Sequence, residues 1–276
     1  MNCAIRLKRA LGLVLLFGIA GWLPARAVDS TAKLSDLPPK AQQAIQAQLG
    51  DGKLGTITRS SEGCEVRYEV DMTKGGRERS FAVNEQGDLL EVQVFIRELP
   101  PRVQRAIHQH IGRGAPECVM KAVDDGEVSY DVEFTKEGKA RELTLDSNGE
   151  LVQERMFLDE LPEAVRAALK TKPAGAKFGE IYKTIDEGEA YYEVEVEGNG
   201  KTRTVGFDAK GAVAYEEESV SYAELPEAAR NAARAALSGT MPCDVTRHSE
   251  GYQVSYEIEF KKDGKRQSVT VSSDGK

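Results

Sequence analysis

Tryptophan is almost missing from this chain, which has one in 276 residues, Trp22. Histidine is scarce as well, with three. His108 and His110 stand two apart on a helical stretch, about 200° around its axis, so they cannot clamp one ion as an i, i+4 pair would, and a solvent-facing or packing role is expected. There is no Gly-x-Ser-x-Gly elbow, no His-Glu-x-x-His helix and no phosphate-cradling glycine loop; Gly50-Asp51-Gly52 follows a helix and reads as its stop. Neither a catalytic site, a metal nor a cofactor is therefore expected. No apolar run reaches about 18 residues, which excludes an ordinary membrane-spanning helix. Positive charge is in deficit: 37 Lys+Arg against 45 Asp+Glu leave a net charge of −8, a balance repelled by nucleic acid and by anionic lipid. With 40% apolar and 30% charged residues, the composition is globular.

The first 27 residues stand apart. Arg6, Lys8 and Arg9 precede an apolar stretch from Ala10 to Leu23, and Ala25-Arg26-Ala27 is a small-x-small cleavage signal. This reads as a secretory signal peptide, with no cysteine at the cleavage point to carry a lipid. Its removal takes away four basic residues and Trp22, and leaves a more acidic mature protein in a secreted, periplasmic or envelope setting.

The remainder repeats itself. Leu-Pro occurs at Leu37-Pro38, Leu99-Pro100, Leu161-Pro162 and Leu225-Pro226; Tyr68, Tyr130, Tyr192 and Tyr256 keep the same rhythm, as do Gly76, Gly138, Gly200 and Gly264. Three markers on one period define four units, which we place at 28–95, 96–157, 158–220 and 221–276. Each opens with a proline expected at the first helical position, followed by apolar residues at i, i+3, i+4 and i+8, such as Val103, Ala106, Ile107 and Ile111. The period then changes to two: Val66, Tyr68, Val70 and Met72 alternate with Glu65, Arg67, Glu69 and Asp71, as expected of an antiparallel strand with one wet face. Gly75-Gly76, Glu137-Gly138, Asn199-Gly200 and Asp263-Gly264 supply two-residue hairpin turns, and a loop at Glu137-Gly138 sets Phe134 opposite Arg141, Val132 opposite Leu143 and Tyr130 opposite Leu145. A second turn ends at Gly87, Gly149, Gly211 and Gly275, and an earlier strand surrounds Ile57, Val119, Ile181 and Val245.

The expected fold class is α+β: four tandem units of one helix and a four-stranded antiparallel sheet, the helices on one sheet face and the last unit lacking its final strand. A lone unit of this size is marginal, so the units should pack continuously. In unit four the strand bearing Val269 and Val271 has no following strand in the sequence, and this open edge predicts a homodimer or a truncated chain.

The Leu-Pro-x-x-(Val/Ala) helix start, the short helix, the Tyr-bearing strand and the glycine turns, repeated behind a signal peptide, resemble the PepSY-like, beta-lactamase-inhibitor-like domain family. The resemblance extends from about Leu34 to Lys276. It implies a secreted, non-enzymatic protein that binds or inhibits another protein through an open sheet; its motifs are structural and assign no functional residue. The lack of Trp in the mature chain departs from an aromatic-rich inhibitory face. The alternative is a structural or cation-buffering envelope protein with no specific target.

Two sets of residues remain as candidates. Cys118 and Cys243 occupy nearly the same place in units two and four and could bridge if those units face each other, leaving Cys64 free; small unbridged apolar side chains are the favoured reading, since spacing cannot establish a disulfide. On the wet face of the Tyr strands, Glu69, Asp131, Glu193 and Glu257 recur, followed two residues on by Asp71, Glu133, Glu195 and Glu259. They read as a solubilising surface or as two acidic columns that attract a basic protein partner, with Tyr191 and Tyr252 as amphipathic anchors. Divalent-cation binding is a third use of such carboxylates, although alternate strand residues rarely converge on one ion.

Overall fold

The computed structural model describes residues 30–276 apart from 113, 125, 172–175, 199 and 200 and the side chain of Glu62. The signal segment and the Asn199-Gly200 turn lie outside the described residues. The described chain forms two compact units, one ending at Glu154 and one running from Arg155 to Lys276.

In the first unit, a two-residue strand β1 (Ser30–Thr31) precedes helix α1 (Pro39–Leu49) and strands β2 (Lys53–Glu62), β3 (Glu65–Lys74), β4 (Arg77–Asn84) and β5 (Leu89–Gln93). Helix α2 (Pro101–Ile111) and strands β6 (Cys118–Asp124), β7 (Glu127–Lys136), β8 (Lys139–Asp146) and β9 (Leu151–Arg155) follow. The second unit holds α3 (Glu163–Lys170) with β10 (Lys177–Asp186), β11 (Glu189–Gly198), β12 (Lys201–Asp208) and β13 (Val213–Ser219), then α4 (Glu227–Leu237) with β14 (Pro242–Glu250), β15 (Gln253–Lys262) and β16 (Lys265–Ser272). Within each unit, consecutive strands pair antiparallel, and the expected register of Phe134 with Arg141, Val132 with Leu143 and Tyr130 with Leu145 is observed.

Local chemistry sets these elements. A proline is the first helical residue in the first two repeats, Pro39 and Pro101, but a glutamate takes that position in the third and fourth, and the proline of each Leu-Pro pair stands one residue before the helix: Pro100 has φ −56° and ψ 143°, and its carbonyl accepts the N–H of Gln104 at 3.0 Å. The ring fixes φ, while the extended ψ turns the chain into the helix. Just upstream, each repeat makes one 3-10 turn that periodicity does not reveal, at 34–36, 96–98, 158–160 and 222–224. Glu98, Glu160 and Glu224 there accept the backbone N–H of Phe95, Phe157 and Ser221, as capping-box glutamates do. Arg79 on β4 grips Glu98 through two hydrogen bonds of 3.1 and 2.6 Å.

The hairpin turns use left-handed backbone at both central positions, with φ of 55° and 75° at Glu137 and Gly138, which matches the right-handed twist of the flanking strands. The glycines closing the second turn meet a further demand. Gly211 has φ +80°, and a Cβ there would lie 2.5 Å from the carbonyl oxygen of Ala164. The turn therefore rests directly on the first turn of its helix.

Each helix buries its apolar stripe in a core of its own repeat. In the first, Ala41, Ile45 and Leu49 meet Tyr68, Val70, Met72, Phe81 and Val83; in the fourth, Ala229, Ala233 and Leu237 meet Tyr256, Ile258, Phe260 and Val271. The strand contributors alternate along each strand, so the intervening residues project from the face that the repeat's helix does not cover.

β1 takes the place that a fourth strand holds elsewhere. The pairing of Thr31 with Thr58, and the bond from the Ala32 N–H to the Ile57 carbonyl, correspond to Gln93 with Met120 and Val94 with Val119. Among the described residues β16 pairs only with β15. Val269, half-buried, occupies the register of Phe81, Leu143 and Val205, which are buried.

Candidate functional site

In each repeat the strand residues that alternate with the core contributors form rows of polar side chains across the strands, because antiparallel register places every second residue of neighbouring strands side by side. In the first repeat, Glu69 on β3 stands opposite Ala82 on β4, which stands opposite Glu91 on β5. Arg67 lies between the two carboxylates, 3.3 Å from Glu69 and in an ion pair with Glu91. Glu91 is buried, and loss of water pushes its carboxyl pKa up against the opposing pull of Arg67.

In the second repeat Asp131 accepts a hydrogen bond from the Thr144 hydroxyl at 2.6 Å. Part of the residue remains exposed, yet its carboxyl is desolvated. Together with the like charges of Glu142, Glu91 and Glu133, and despite the Thr144 bond, this raises its pKa from 3.8 to about 7.

In the third repeat Glu193 is only 3% exposed. It stands between Tyr182 on β10 and Gly206 on β12, and Tyr215 of β13 reaches over Gly206 to donate its hydroxyl to Glu193 at 2.7 Å. The next row holds Glu217, 1% exposed, with its Oε1 3.2 Å from Nδ1 of His248; the other ring nitrogen lies 3.8 Å from Glu257. Burial alone would lower the proton affinity of this imidazole, but the two carboxylates outweigh it and raise its pKa to about 9. His248 is therefore an imidazolium at neutral pH, and it holds Glu257 ionised in return.

The sequence-predicted acidic columns thus have a different character from the one expected. Glu69, Asp131, Glu257, Glu133, Glu195 and Glu259 are half-buried, Glu193 is buried and Asp71 is exposed. These are not uniformly solvated side chains, because neighbouring strands bring arginine, threonine, tyrosine and histidine against them; Arg266, for example, pairs with Glu259. Tyr191 lies half-buried on the same face, with its ring 6.2 Å from that of Tyr215. Tyr252 is not on the strand face but fully exposed at the β14–β15 turn.

Tyr182, Tyr215, Glu217 and His248 escape a reading of the sequence. They belong to first and fourth strands, whose partners are set by register rather than by the alternation that marks the Tyr strand. His108 is exposed and His110 half-buried on α2. Cys64, Cys118 and Cys243 are all disulfide-bonded, which corrects the expectation of a free Cys64 and the favoured reading of unbridged thiols. Sequence spacing carries no information on which thiols meet in space. No group of three or more His, Cys, Asp or Glu suited to a metal ion occurs among the described residues, and no helix among them is long and apolar enough to cross a membrane.

Comparison with protein families matches the family described as "Putative beta-lactamase-inhibitor-like, PepSY-like" over residues 67–153, 128–201 and 190–276. The matched segments step along the chain at the spacing of the repeats, and each takes in one helix with strands from both sides of it. Among solved structures, the chain is similar to a DUF2874 family protein from Bacteroides uniformis, at 26% identity over 42% of this chain and 84% of that one, with a TM-score of 0.36. It is also similar to a protein from Bacteroides thetaiotaomicron described as "putative calcium-regulated periplasmic", at 21% identity over 46% and 95%, with a TM-score of 0.30. A BLIP-like protein from Bacteroides fragilis matches at 18% identity over 49% and 87%, with a TM-score of 0.31. No curated protein matches.

Proposed function

The chain belongs to the PepSY-like, beta-lactamase-inhibitor-like family, and from that membership we propose that it is a secreted, non-catalytic module of the periplasm or cell envelope that binds or inhibits another protein through the helix-free face of its sheets. The observation that carries this reading is the set of cross-strand rows. Arg67 between Glu69 and Glu91, Tyr215 on Glu193, and His248 between Glu217 and Glu257 are held by one another before any partner arrives. Side chains fixed in advance lose little conformational freedom on binding, so more of the contact energy appears as affinity. Strand-borne groups also hold their geometry better than groups on loops. The acidic balance favours a partner with basic surface and speeds its encounter.

The test is a pull-down from a periplasmic extract with the immobilised mature protein. One partner retained at moderate salt is the expected result. Recovery of no partner, together with unfolding that shifts when calcium is added, would favour the structural or cation-buffering alternative.

A further inference from the structure

We propose that Tyr182, Tyr191 and Tyr215, on the helix-free face of the second compact unit, form a docking patch for a protein segment that presents an arginine or lysine side chain. This rests on the reading of the chain as a binding protein and names the chemistry of what it binds.

The patch is built by the third repeat alone. Register equates Gly206 with Ala82, Thr144 and Thr270 of the other repeats, each opposite the recurring acidic residue of the Tyr strand. It likewise equates Tyr215 with Glu91 and Gln153. A Cβ on Gly206 would lie 2.4 Å from Cζ and 2.5 Å from Cε1 of Tyr215. The absence of a side chain at 206 is what lets the ring lie down across β12 and deliver its hydroxyl to Glu193. Repeats one, two and four fold without this pair, so the repeat architecture does not require it.

The result is a rigid aromatic surface. Tyr215 is pinned by Glu193, and Tyr191 leans against it at an interplanar angle of 52°. Tyr182 stands on the other side of Glu193, with its hydroxyl 3.2 Å from Glu180. Tyrosines held in this way give large contact area at small entropic cost, and they are enriched at the centres of protein interfaces.

Charge selects the occupant. The Tyr191 hydroxyl donates to Glu189 at 3.4 Å, and burial, Glu189, Asp186 and Glu250 together raise its pKa. Elsewhere in this unit a cation of the chain itself answers the carboxylates, Arg155 at Glu180 beside Tyr182 and His248 between Glu217 and Glu257. At Tyr191 the named charges, Glu189, Asp186 and Glu250, are carboxylates beside a half-buried ring. Ring faces beside carboxylates favour a guanidinium or ammonium group, by cation–π attraction together with ion pairing.

The experiment pans a phage-displayed library of random nine-residue peptides against the mature protein, with the Tyr191→Ala, Tyr215→Ala, Tyr215→Phe and Gln109→Ala variants as comparators. Selected peptides should be enriched in arginine or lysine. Their affinity should fall at least about ten-fold in Tyr191→Ala and Tyr215→Ala, and should hold in Tyr215→Phe, which keeps the ring, and in Gln109→Ala, exposed on α2 in the other unit. If Tyr215→Ala does not fold by circular dichroism, Tyr191→Ala carries the test. Absence of binders, binders without basic residues, or basic binders indifferent to Tyr191→Ala would each overturn the proposal. A pull-down partner that binds Tyr191→Ala as well as wild type leaves the binding function standing and moves it to another surface.

Discussion

Thr144 donates its hydroxyl to Asp131 across the β7–β8 pair at 2.6 Å, and this bond does not compensate the carboxylate for the water it has lost. The folded pKa is raised from 3.8 to about 7. Asp131 therefore supports folding fully below about pH 3.8, where both states are protonated, and that support is lost as pH rises to about 7. Asp131→Asn is expected to unfold at higher urea than wild type at pH 8, by about 1 kcal/mol or more, and to differ little at pH 4. Urea titrations at the two pH values check this, and a variant without gain at pH 8 contradicts it.

His248 has the same sign in a different window. Its folded pKa is raised from 6.5 to about 9, so the stability it contributes is complete below 6.5 and disappears as pH climbs through about 9. Wild type should lose stability over that interval, and His248→Gln should respond to it much less. An NMR titration of the imidazole protons should also show His248 changing well above pH 6.5; a His248 midpoint near 6.5 would contradict the ion triad.

Two glycines with similar backbone angles are expected to tolerate alanine differently. Gly76 has φ +74°, and a Cβ added there would meet no atom within 4 Å, whereas Gly211 has φ +80° and its Cβ would meet the Ala164 oxygen at 2.5 Å. Gly76→Ala should cost about 1 kcal/mol from backbone strain alone. Gly211→Ala must also push the turn off its helix, and should cost at least about 2 kcal/mol. Thermal melts of both variants give the comparison, and equal losses would remove the role of close approach.

The acidic columns are expected to be more costly to neutralise than a solvated surface. Changing Glu69, Asp131, Glu193 and Glu257 to their amides removes charges that face Arg67 and His248, and alters the buried acceptor of Tyr215. Glu193→Gln and Glu257→Gln should each destabilise by about 1 kcal/mol, while Asp131→Asn moves the other way. Chemical unfolding of the single variants separates these contributions, and near-zero change in all of them would restore the picture of a simple solvated face.

The sequence by itself determined the period, the helices, the strands, the hairpin turns and the register of β7 against β8. All of these follow from short-range rules: proline and glycine dihedral limits, and the two side-chain periodicities. Even the face to which Glu193 belongs can be read from its alternation with Val194. What stands beside it cannot. Tyr215 comes 22 residues after Glu193 and Glu217 31 before His248, and only the stacking of one strand on the next makes neighbours of them. Alternation assigns a side chain to a face; cross-strand register decides whether it meets water, an arginine, a threonine or a tyrosine. The tertiary structure therefore turned four equivalent-looking acidic residues into four different environments, and it placed the aromatic patch where a single glycine left room for a ring.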